Sequence, residues 1–478
     1  MKKIITLSLV FSMIILNSCQ ESFLDKNPPI SVGDVDVFTN PERIETTVLG
    51  LYGALKGNTG GTCLLGGKML VAIDNRGEDF VNISNNLVTL YACYLMTTGD
   101  SDTECITYWM LAYRAINNVN TFLEKVADAR ELIGDAKYNQ FVAEAKFVRA
   151  MSYYYLSLMY SQKPYSIDPS ALAVPLRLLA EKDNSNNDLT QSTISEIFTQ
   201  ILEDLKDENI AALPAAAATY NAATRATKGA ALMLRMRVKM AMNNWDGAIT
   251  DGNAITGYSL TPSVKTPFSS PYYSAENIFS MPMAANNVPN TQYSYLEYYH
   301  SATIIMVLNM NAPGILSEAA YNQEDDARIT NFVELNGTNY LLAKYTTLQK
   351  LDWVPIFRYA ETLLNLAECH AAKGGSSEDQ AKALLKQVRR RSIAEDADII
   401  KDADIDALSG SGLKTAIYKE RRLELIGEGI RGFDIVRRGE SFPAKGSGGQ
   451  SVQEVPPSAG NYMWPIPSSE KASNKLIK

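Results

Sequence analysis

Apolar residues that recur every three or four positions are the feature that most constrains how this chain can fold. In the segment 41–56 the pattern is carried by Ile44, Val48, Leu51 and Leu55. Such spacing places the apolar side chains on one face of an α-helix. The chain is therefore predicted to be mainly α. Further helices are predicted at 101–126, 138–160, 190–210, 227–243, 245–255, 357–372, 378–391 and 413–428.

The helices of the first half follow one another as pairs, at intervals of about forty residues. Each pair has an apolar face that it cannot bury alone, and stacking of neighbouring pairs buries it. Trp245 followed by Ala248 resembles the second element of a tetratricopeptide repeat. We therefore expect tetratricopeptide-like helix pairs that form an α-α superhelical scaffold over residues 41–260.

Proline and turn residues become frequent after Thr261, and helices resume only near Phe357. Loops of this length in a compact protein are usually functional. Residues 261–478 are therefore expected to contain a loop-rich region with few short strands, packed on the same single domain as residues 41–260. The low-complexity stretch 445–450 is expected to be a flexible surface loop.

The N-terminus has the features of an export signal. Lys2 and Lys3 precede an uncharged stretch, 4–16, which is shorter than the roughly twenty residues that a membrane-spanning helix needs. Its length is typical of a signal-peptide core. The segment 16–19, Leu-Asn-Ser-Cys, resembles a bacterial lipobox, which implies cleavage before Cys19 and attachment of fatty acids to it. The alternative is an ordinary secreted protein in which Cys19 is incidental.

We accordingly expect residues 1–18 to be a signal peptide and residues 19–40 a lipidated tether. The protein would then be anchored by lipid to the outer membrane and exposed at the cell surface. Such a location permits disulfides, although buried free thiols are at least as compatible with the spacing. The remaining cysteines, none of them in a C-x-x-C pair, are Cys63, Cys93, Cys105 and Cys369.

Charge and composition exclude several classes of function. The net charge is -8, and no basic stripe offsets it, so nucleic acid is not an expected partner. Only two histidines occur, His300 and His370, which argues against histidine-based catalysis and histidine metal sites. The motifs H-E-x-x-H, G-x-S-x-G and G-x-x-x-x-G-K-[ST] are absent from the sequence. We expect no catalytic residue, no metal and no cofactor.

Several motifs, in order along the chain, together resemble the SusD/RagB family. The most specific is Glu-Arg-Arg-Leu-Glu-Leu at 420–425, followed by Glu428-Gly429, an Arg-Gly-Phe-Asp segment at 431–434 and Arg-Arg-Gly at 437–439. The resemblance extends from Cys19 over nearly the whole chain. The other matching segments are 143–150 with 153–156, 225–231, 358–368, and Trp-Pro-Ile-Pro at 464–467 with Glu470 and Asn474.

Membership of this family would imply a single helical domain and a role in nutrient uptake. It implies a surface lipoprotein that captures nutrient, most often an oligosaccharide, and caps a TonB-dependent outer-membrane transporter of the SusC type. Some relatives serve peptides or glycopeptides, so a RagB-like peptide or glycopeptide binder is the alternative. The resemblance also implies that loops in two general regions, around 74–94 and 272–299, form the ligand face.

A sugar-binding surface needs flat apolar rings for the C–H side of the pyranose and polar groups for its hydroxyls. The two loop regions supply both, and Trp353, ahead of a predicted helix, is a further candidate. The alternative for any one of these tyrosines is that it covers apolar surface between loops. The candidate ligand-binding residues are Asp74, Asn75, Arg76, Tyr91, Tyr94, Tyr293, Tyr295, Tyr298, Tyr299 and Trp353.

Other conspicuous residues are better explained by packing. Glu420, Glu424 and Glu428 share one helix face, which could suggest a metal site or an acid–base pair. An ion-pair lattice that joins helix to helix is the favoured interpretation, with three arginines as the expected partners. Those arginines are Arg421, Arg422 and Arg431, and the tryptophans expected to serve packing are Trp109, Trp245 and Trp464.

Two further classes of function stay open. A surface glycoside hydrolase would need two carboxylates whose pairing is spatial and cannot be read from the sequence. Shortened polysaccharide products would favour that class. A pure scaffold would use its helices only for protein contacts, and loss of growth on one glycan without ligand binding by the isolated protein would favour it.

Overall fold

The computed structural model describes residues 37–57 and 64–477. The predicted signal peptide, Cys19, most of the 19–40 tether and Cys63 lie outside the described residues. The α-helices of the described part are α1 Pro41–Lys56, α2 Lys68–Arg76, α3 Tyr91–Tyr94, α4 Thr103–Val126, α5 Arg130–Tyr160, α6 Ile194–Asp204, α7 Asp207–Ala212, α8 Tyr220–Thr224, α9 Lys228–Ala241, α10 Trp245–Ala254, α11 Tyr295–Tyr299, α12 Ala327–Phe332, α13 Tyr359–Lys373, α14 Glu378–Ser392, α15 Asp402–Ala407, α16 Gly410–Glu424, α17 Arg431–Arg438 and α18 Ser468–Ser473.

The strands are short and pair two by two. Each pair is antiparallel: β1 with β5, β2 with β3, β4 with β8, and β6 with β7. The prediction of a mainly α chain with few short strands is confirmed. The strands are β1 Phe80–Asn82, β2 Leu172–Pro175, β3 Gln191–Thr193, β4 Asn277–Met281, β5 Met306–Leu308, β6 Val333–Asn336, β7 Asn339–Leu342 and β8 Val354–Arg358.

Helix α1 shows why the periodic segments could be located from the sequence. The Asn40 side chain accepts hydrogen bonds from the backbone N–H groups of Glu42 and Arg43, at 2.9 and 3.0 Å, and so caps the first turn. Gly57, with φ of 76°, ends the helix in the left-handed conformation that glycine adopts readily. The predicted bounds of this helix are confirmed.

The long helices pack against their neighbours in chain order. Helix α1 lies against α4 and α5, α5 against α6, α9 against α10, and α13 against α14 and α16. The apolar faces of these helices form one hydrophobic core, which also contains Trp109 and Trp464. Packing roles are therefore confirmed for these two tryptophans, while Trp245 is half-buried at the core's edge.

Helix α5 begins eight residues before the predicted start at Tyr138. Its first turns run from Arg130 and are interrupted at Gly134, where φ is 77° and ψ is 156°. The interruption removes the regular apolar spacing from the first turns, so periodicity detects only the second part. That part is buried on all sides, as its two apolar faces predicted.

An ion-pair lattice lies beneath the C-terminal helices. The Arg358 guanidinium donates to Glu276 at 2.5 Å, to Glu424 at 3.1 Å and to Glu428 at 2.7 Å. All four side chains are buried. Burial alone would raise the pKa of Glu424, but Arg391, Arg358 and Arg328 lower it well below its usual range. The prediction that the glutamates of 420–428 form an ion-pair lattice is confirmed.

The predicted partners of that lattice were wrong. Arg421 pairs with Asp434 at 2.7 Å, and Arg422 and Arg431 turn towards the acids that follow α2. The cations that neutralise the glutamates come from distant segments, which sequence neighbourhood could not reveal. They are Arg328, Lys344, Arg358, Arg389 and Arg391.

Removal of one lattice cation should destabilise the fold strongly. In the variant Arg358→Met we expect the free energy of unfolding to fall by about 3–5 kcal/mol, because buried carboxylates are left without a counter-charge. Denaturant unfolding measures it. The control Lys386→Met breaks an exposed pair with Asp406 and should cost less than about 1 kcal/mol. Equal losses in the two variants would contradict the role given to the lattice.

Candidate functional site

Four aromatic side chains form a cluster that reaches the surface, called here the Trp353 platform. The Trp353 ring stacks on that of Tyr272, with centroids 5.8 Å apart and planes at 21°. Tyr220 meets Trp353 edge-on at 5.4 Å, and Tyr273 lies 6.2 Å away. Tyr220 is 52% exposed, whereas Trp353 is 8% exposed at the base of the cluster. The platform thus combines a packed base with an open rim.

Three chain segments converge to build the platform. Tyr220 opens α8, which packs against β4. Tyr272 and Tyr273 lie in the loop before β4, and Trp353 directly precedes β8. Because β4 and β8 pair antiparallel, the segments that carry the four rings share one support. The ion pair between Arg358 and Glu276 also joins the segment before β4 to the end of β8.

A buried carboxylate fixes the Tyr272 ring. Asp352 accepts hydrogen bonds from the Thr347 backbone N–H at 2.8 Å and from the Thr347 hydroxyl at 2.7 Å. The Tyr272 hydroxyl donates to Asp352 at 3.3 Å. Tyr272 has a φ of 62°, a conformation that bulky residues rarely adopt and that persists only where the surroundings enforce it. Such enforced backbone geometry is typical of functional sites.

Glu297 organises the loop beside the platform. Its carboxylate accepts hydrogen bonds from the backbone N–H groups of Gln292, Tyr293 and Ser294, at 2.8, 3.2 and 3.2 Å. It also accepts one from Lys350 Nζ at 2.9 Å. Burial alone would raise the pKa of Glu297, but the hydrogen bonds from Lys350, Gln292 and Ser294 lower it. The segment that carries Tyr293 is therefore held in place beside Lys350 and Asp352.

Most of the predicted ligand residues lie in the interior, which corrects that part of the prediction. Their segments are short helices, not loops. Helix α2 is buried on every side and so has no polar face to give a 3.6-residue period, and α3 and α11 are too short to show one. None of these side chains is more than 3% exposed, so none presents a surface to a ligand. They are Asp74, Asn75, Arg76, Tyr94, Tyr295, Tyr298 and Tyr299.

The two predicted regions do meet, but as packing partners. The Tyr299 hydroxyl donates to Asp74 Oδ2 at 2.9 Å, and the rings of Tyr299 and Phe80 lie 5.0 Å apart. Asp74 also accepts a hydrogen bond from the Gly429 backbone N–H at 2.8 Å. Asp74 and Tyr299, whose residue types suggested a ligand face, instead join helix α2 to α11 and to the C-terminal motif at Gly429.

Three predicted residues lie at the surface or directly beneath it. Tyr91 and Tyr293 are half-buried, and Trp353 belongs to the platform. Tyr220, the most exposed ring of the platform, was missed. It follows an alanine-rich stretch with no periodicity, so an isolated aromatic in a polar, small-residue segment was the one available signal.

The described residues contain no group of three or more histidine, cysteine or acidic side chains that could hold a metal ion. Cys93, Cys105 and Cys369 are buried free thiols. No helix within the described residues is long and apolar enough to cross a membrane.

Two family models together match most of the sequence. One, described as the SusD family, matches residues 248–478, and the other, described as starch-binding and associating with the outer membrane, matches residues 22–240. A solved SusD superfamily protein from Bacteroides fragilis is 51% identical, with a TM-score of 0.87 over 93% of this chain and 100% of its own. The chain belongs to the SusD/RagB family. Proteins of this family bind carbohydrate and associate with the outer membrane.

More distant SusD-like proteins share the fold. SusD-like protein P25 from Formosa agariphila is 24% identical, and the match covers 91% of this chain and 89% of the relative. A laminarin-binding SusD-like protein of known structure has a TM-score of 0.67 at 21% identity, over 92% of this chain and 98% of its own. Nearly the full length of these relatives is represented in this chain.

Asp74 should make stability depend on pH. Burial raises the pKa of Asp74 to about 7, although Gly429 and Tyr299 donate hydrogen bonds to it. The folded protein therefore holds a proton that the unfolded chain, with a pKa near 3.9, has lost. Its contribution to stability is present below about pH 4 and is lost as the pH rises towards 7, by up to about 1.4 kcal/mol per pH unit.

The isosteric variant Asp74→Asn tests this linkage. We expect the difference in unfolding free energy between the variant and the wild type to shift in favour of the variant as the pH rises from 4 to 7. Denaturant unfolding at several pH values measures it. The control Asp325→Asn changes an exposed residue and should follow the wild-type profile. A pH-independent difference for Asp74→Asn would contradict the linkage.

Proposed function

We propose that this protein is a surface lipoprotein that holds an oligosaccharide on the Trp353 platform and delivers it, uncleaved, to a SusC-type TonB-dependent transporter. The observation that supports the ligand site is the exposed aromatic rim on a rigid strand pair. Aromatic rings present a flat apolar face to the C–H side of a sugar, and peptide or hydroxyl groups nearby serve its hydroxyls. Carbohydrate binding in this family agrees with that chemistry.

Affinity at such a site should be modest. Sugar hydroxyls exchange hydrogen bonds with water for hydrogen bonds with protein at small net gain. The contacts with the aromatic rings must therefore supply most of the binding free energy. Tyr220 is the exposed ring of the platform, Tyr272 and Tyr273 are half-buried, and Trp353 is the buried ring on which they pack.

Tyr91 and Tyr293 are proposed as secondary ligand contacts, because both rings keep part of their surface open. Lys68 Nζ lies over the Tyr293 ring, 5.0 Å from its centre. We further infer that residues 41–260 and 261–478 act as one domain, since α8 from the first region packs on β4 from the second.

Attachment through Cys19 is the second part of the proposal. A lipid-anchored protein should partition with membranes, and the variant Cys19→Ser should appear in the soluble fraction and carry no fatty acid. Membrane fractionation measures the first, and mass spectrometry of the N-terminal peptide measures the second. Recovery of unmodified Cys19 from wild-type cells would rule out the anchor. A transporter partner should co-purify with the wild type from detergent-solubilised outer membranes.

The exposed platform ring gives the sharpest test of ligand binding. Calorimetry against a panel of α-glucans, β-glucans, fructans, mannans and glycopeptides should identify a ligand. For that ligand, Tyr220→Ala should weaken binding by about two- to tenfold, the equivalent of one aromatic contact of about 0.5–1.5 kcal/mol. Because Tyr220 is exposed, the fold should be unaffected.

The matched control is Tyr138→Ala, which removes a half-buried tyrosine of α5 outside the platform. It should leave affinity unchanged. Equal affinity for the wild type and Tyr220→Ala would exclude the platform as the ligand face. If prolonged incubation with the pure protein shortens the oligosaccharide, the protein is a hydrolase and the proposed function is wrong. If a glycopeptide is the sole ligand found, the oligosaccharide part of the proposal is wrong.

A further inference from the structure

A tight turn at 347–350 lies beside the Trp353 platform and is closed at its base. The Lys350 backbone N–H donates to the Thr347 carbonyl at 2.8 Å, and Lys350 has a φ of 59°. Asp352 accepts hydrogen bonds from the backbone N–H and the hydroxyl of Thr347, at 2.8 and 2.7 Å. Leu348 is therefore held at the first central position of a fixed turn.

The turn presents the Leu348 side chain to solvent. At 82% exposure, it is the most exposed large apolar side chain of the described residues. A leucine on a freely moving loop can fold back onto nearby apolar surface and so leave the water, which is favourable. The closed turn holds the side chain away from such surface. Its contact with water is therefore removed only when another molecule covers it.

The turn adjoins the platform at both of its ends. The hydroxyls of Tyr272 and Thr347 lie 3.1 Å apart, and Leu348 is the next residue after Thr347. At the other end, Asp352 directly precedes Trp353. Consecutive Cα atoms are about 3.8 Å apart, so Leu348 lies within one residue of the platform edge. A ligand that contacts the rings is within reach of this leucine.

The segments that carry the platform and the turn offer a ligand no unpaired charge. Their charged residues are Lys350, whose Nζ donates to Glu297 at 2.9 Å, and Asp352, which is buried. The amide side chains of Asn221 and Gln349 are exposed and uncharged. A charged ligand finds no counter-charge in these segments, so they favour an uncharged one. The segments are 218–224, 269–275 and 346–353.

The glycine-rich stretch 445–450, predicted to be a flexible surface loop, offers no comparable contact. It contains no apolar residue, and Lys445 at its start is buried. Lys445 Nζ donates to the backbone carbonyls of Asn75 at 2.6 Å, Arg76 at 2.8 Å and Gly77 at 2.9 Å. A helix end leaves such carbonyls without partners. The prediction of a surface loop is therefore wrong for Lys445.

We propose that Leu348 is a specificity-determining contact of the Trp353 platform, through which the platform selects uncharged sugars that carry a methyl group. The inference rests on the proposed function, because it names the ligand class of the same site. A methyl group placed against Leu348 leaves the water, which is favourable, whereas a hydroxyl placed there loses a hydrogen bond to water without replacement. The leucine thus distinguishes a methyl-bearing sugar from its hydroxyl counterpart.

Two kinds of uncharged sugar carry a methyl group: N-acetylhexosamines, in the acetamido group, and 6-deoxyhexoses, at C6. Matched pairs of probes distinguish them. Chitotetraose and cellotetraose differ in the acetamido group, and an L-fucosyl lactose differs from its L-galactosyl analogue in the hydroxyl at C6. The pair in which the methyl-bearing member binds more tightly identifies the kind of sugar that the site takes.

A glycan array that contains these pairs, together with unsubstituted glucans, mannans, uronates and sulfated glycans, tests the ligand class. The strongest ligand of the wild type should be uncharged and carry a methyl group. Its counterpart with a hydroxyl in that place should bind about fourfold more weakly, the equivalent of one buried methyl group of about 0.8 kcal/mol. Strongest binding to an unsubstituted hexose chain or to an anionic glycan would overturn the proposal.

The variant Leu348→Ala tests the residue itself. It should weaken binding of the strongest ligand by about fourfold and leave the affinity for the hydroxyl counterpart unchanged, so that the preference disappears. Calorimetry measures both affinities. Leu348→Met, which keeps an apolar side chain of similar size, should retain most of the preference. The matched control Leu179→Ala removes a leucine that is 72% exposed in the loop after β2, and it should change neither affinity.

The remaining outcomes separate this inference from the proposed function. Equal affinity of the wild type and Leu348→Ala for the strongest ligand would overturn the role of Leu348, while a loss of binding in Tyr220→Ala would still support the platform. Loss of the co-purifying transporter in Leu348→Ala, with glycan affinity unchanged, would make Leu348 a protein contact and would also overturn the inference. If the wild type binds no glycan, the proposed function and the ligand class fail together.

Discussion

The contact of Arg358 with three buried glutamates is the constraint on which the rest of the structure depends. Breaking such a group is costly because a carboxylate left alone in the interior has neither water nor counter-charge. Its partners Glu276 and Glu424 come from the segment before β4 and from α16. The lattice therefore ties the loop-rich region to the C-terminal helices, and a scaffold of stacked helices alone would leave those loops unsupported.

That tie explains how long loops can present a fixed surface. Trp353 precedes the strand that ends at Arg358, and Tyr273 lies three residues before Glu276. The rings of the platform therefore emerge from chain segments whose next residues are locked in the interior. A preorganised face of this kind loses little conformational entropy when a ligand arrives. A ligand that binds weakly, such as a sugar, requires a rigid support and an exposed aromatic surface.

The sequence revealed the helices and the family because both depend on local pattern: Ile44, Val48 and Leu51 repeat at helical spacing, and the motif at 420–439 is contiguous. The ligand face depends on tertiary packing. Asp74 and Tyr299 belong to residue types that suit sugar binding, yet they bind each other in the interior. Burial decides between these uses, and no local pattern distinguishes a tyrosine that packs from one that faces solvent.

The central claim is that the Trp353 platform holds a sugar without altering it. A crystal structure of the protein with the oligosaccharide found by calorimetry tests it most directly. The account predicts a sugar ring in contact with Tyr220 or Tyr273, stacked on an aromatic face, with every glycosidic bond intact. A sugar seated away from the cluster, or density for cleaved product, would contradict it.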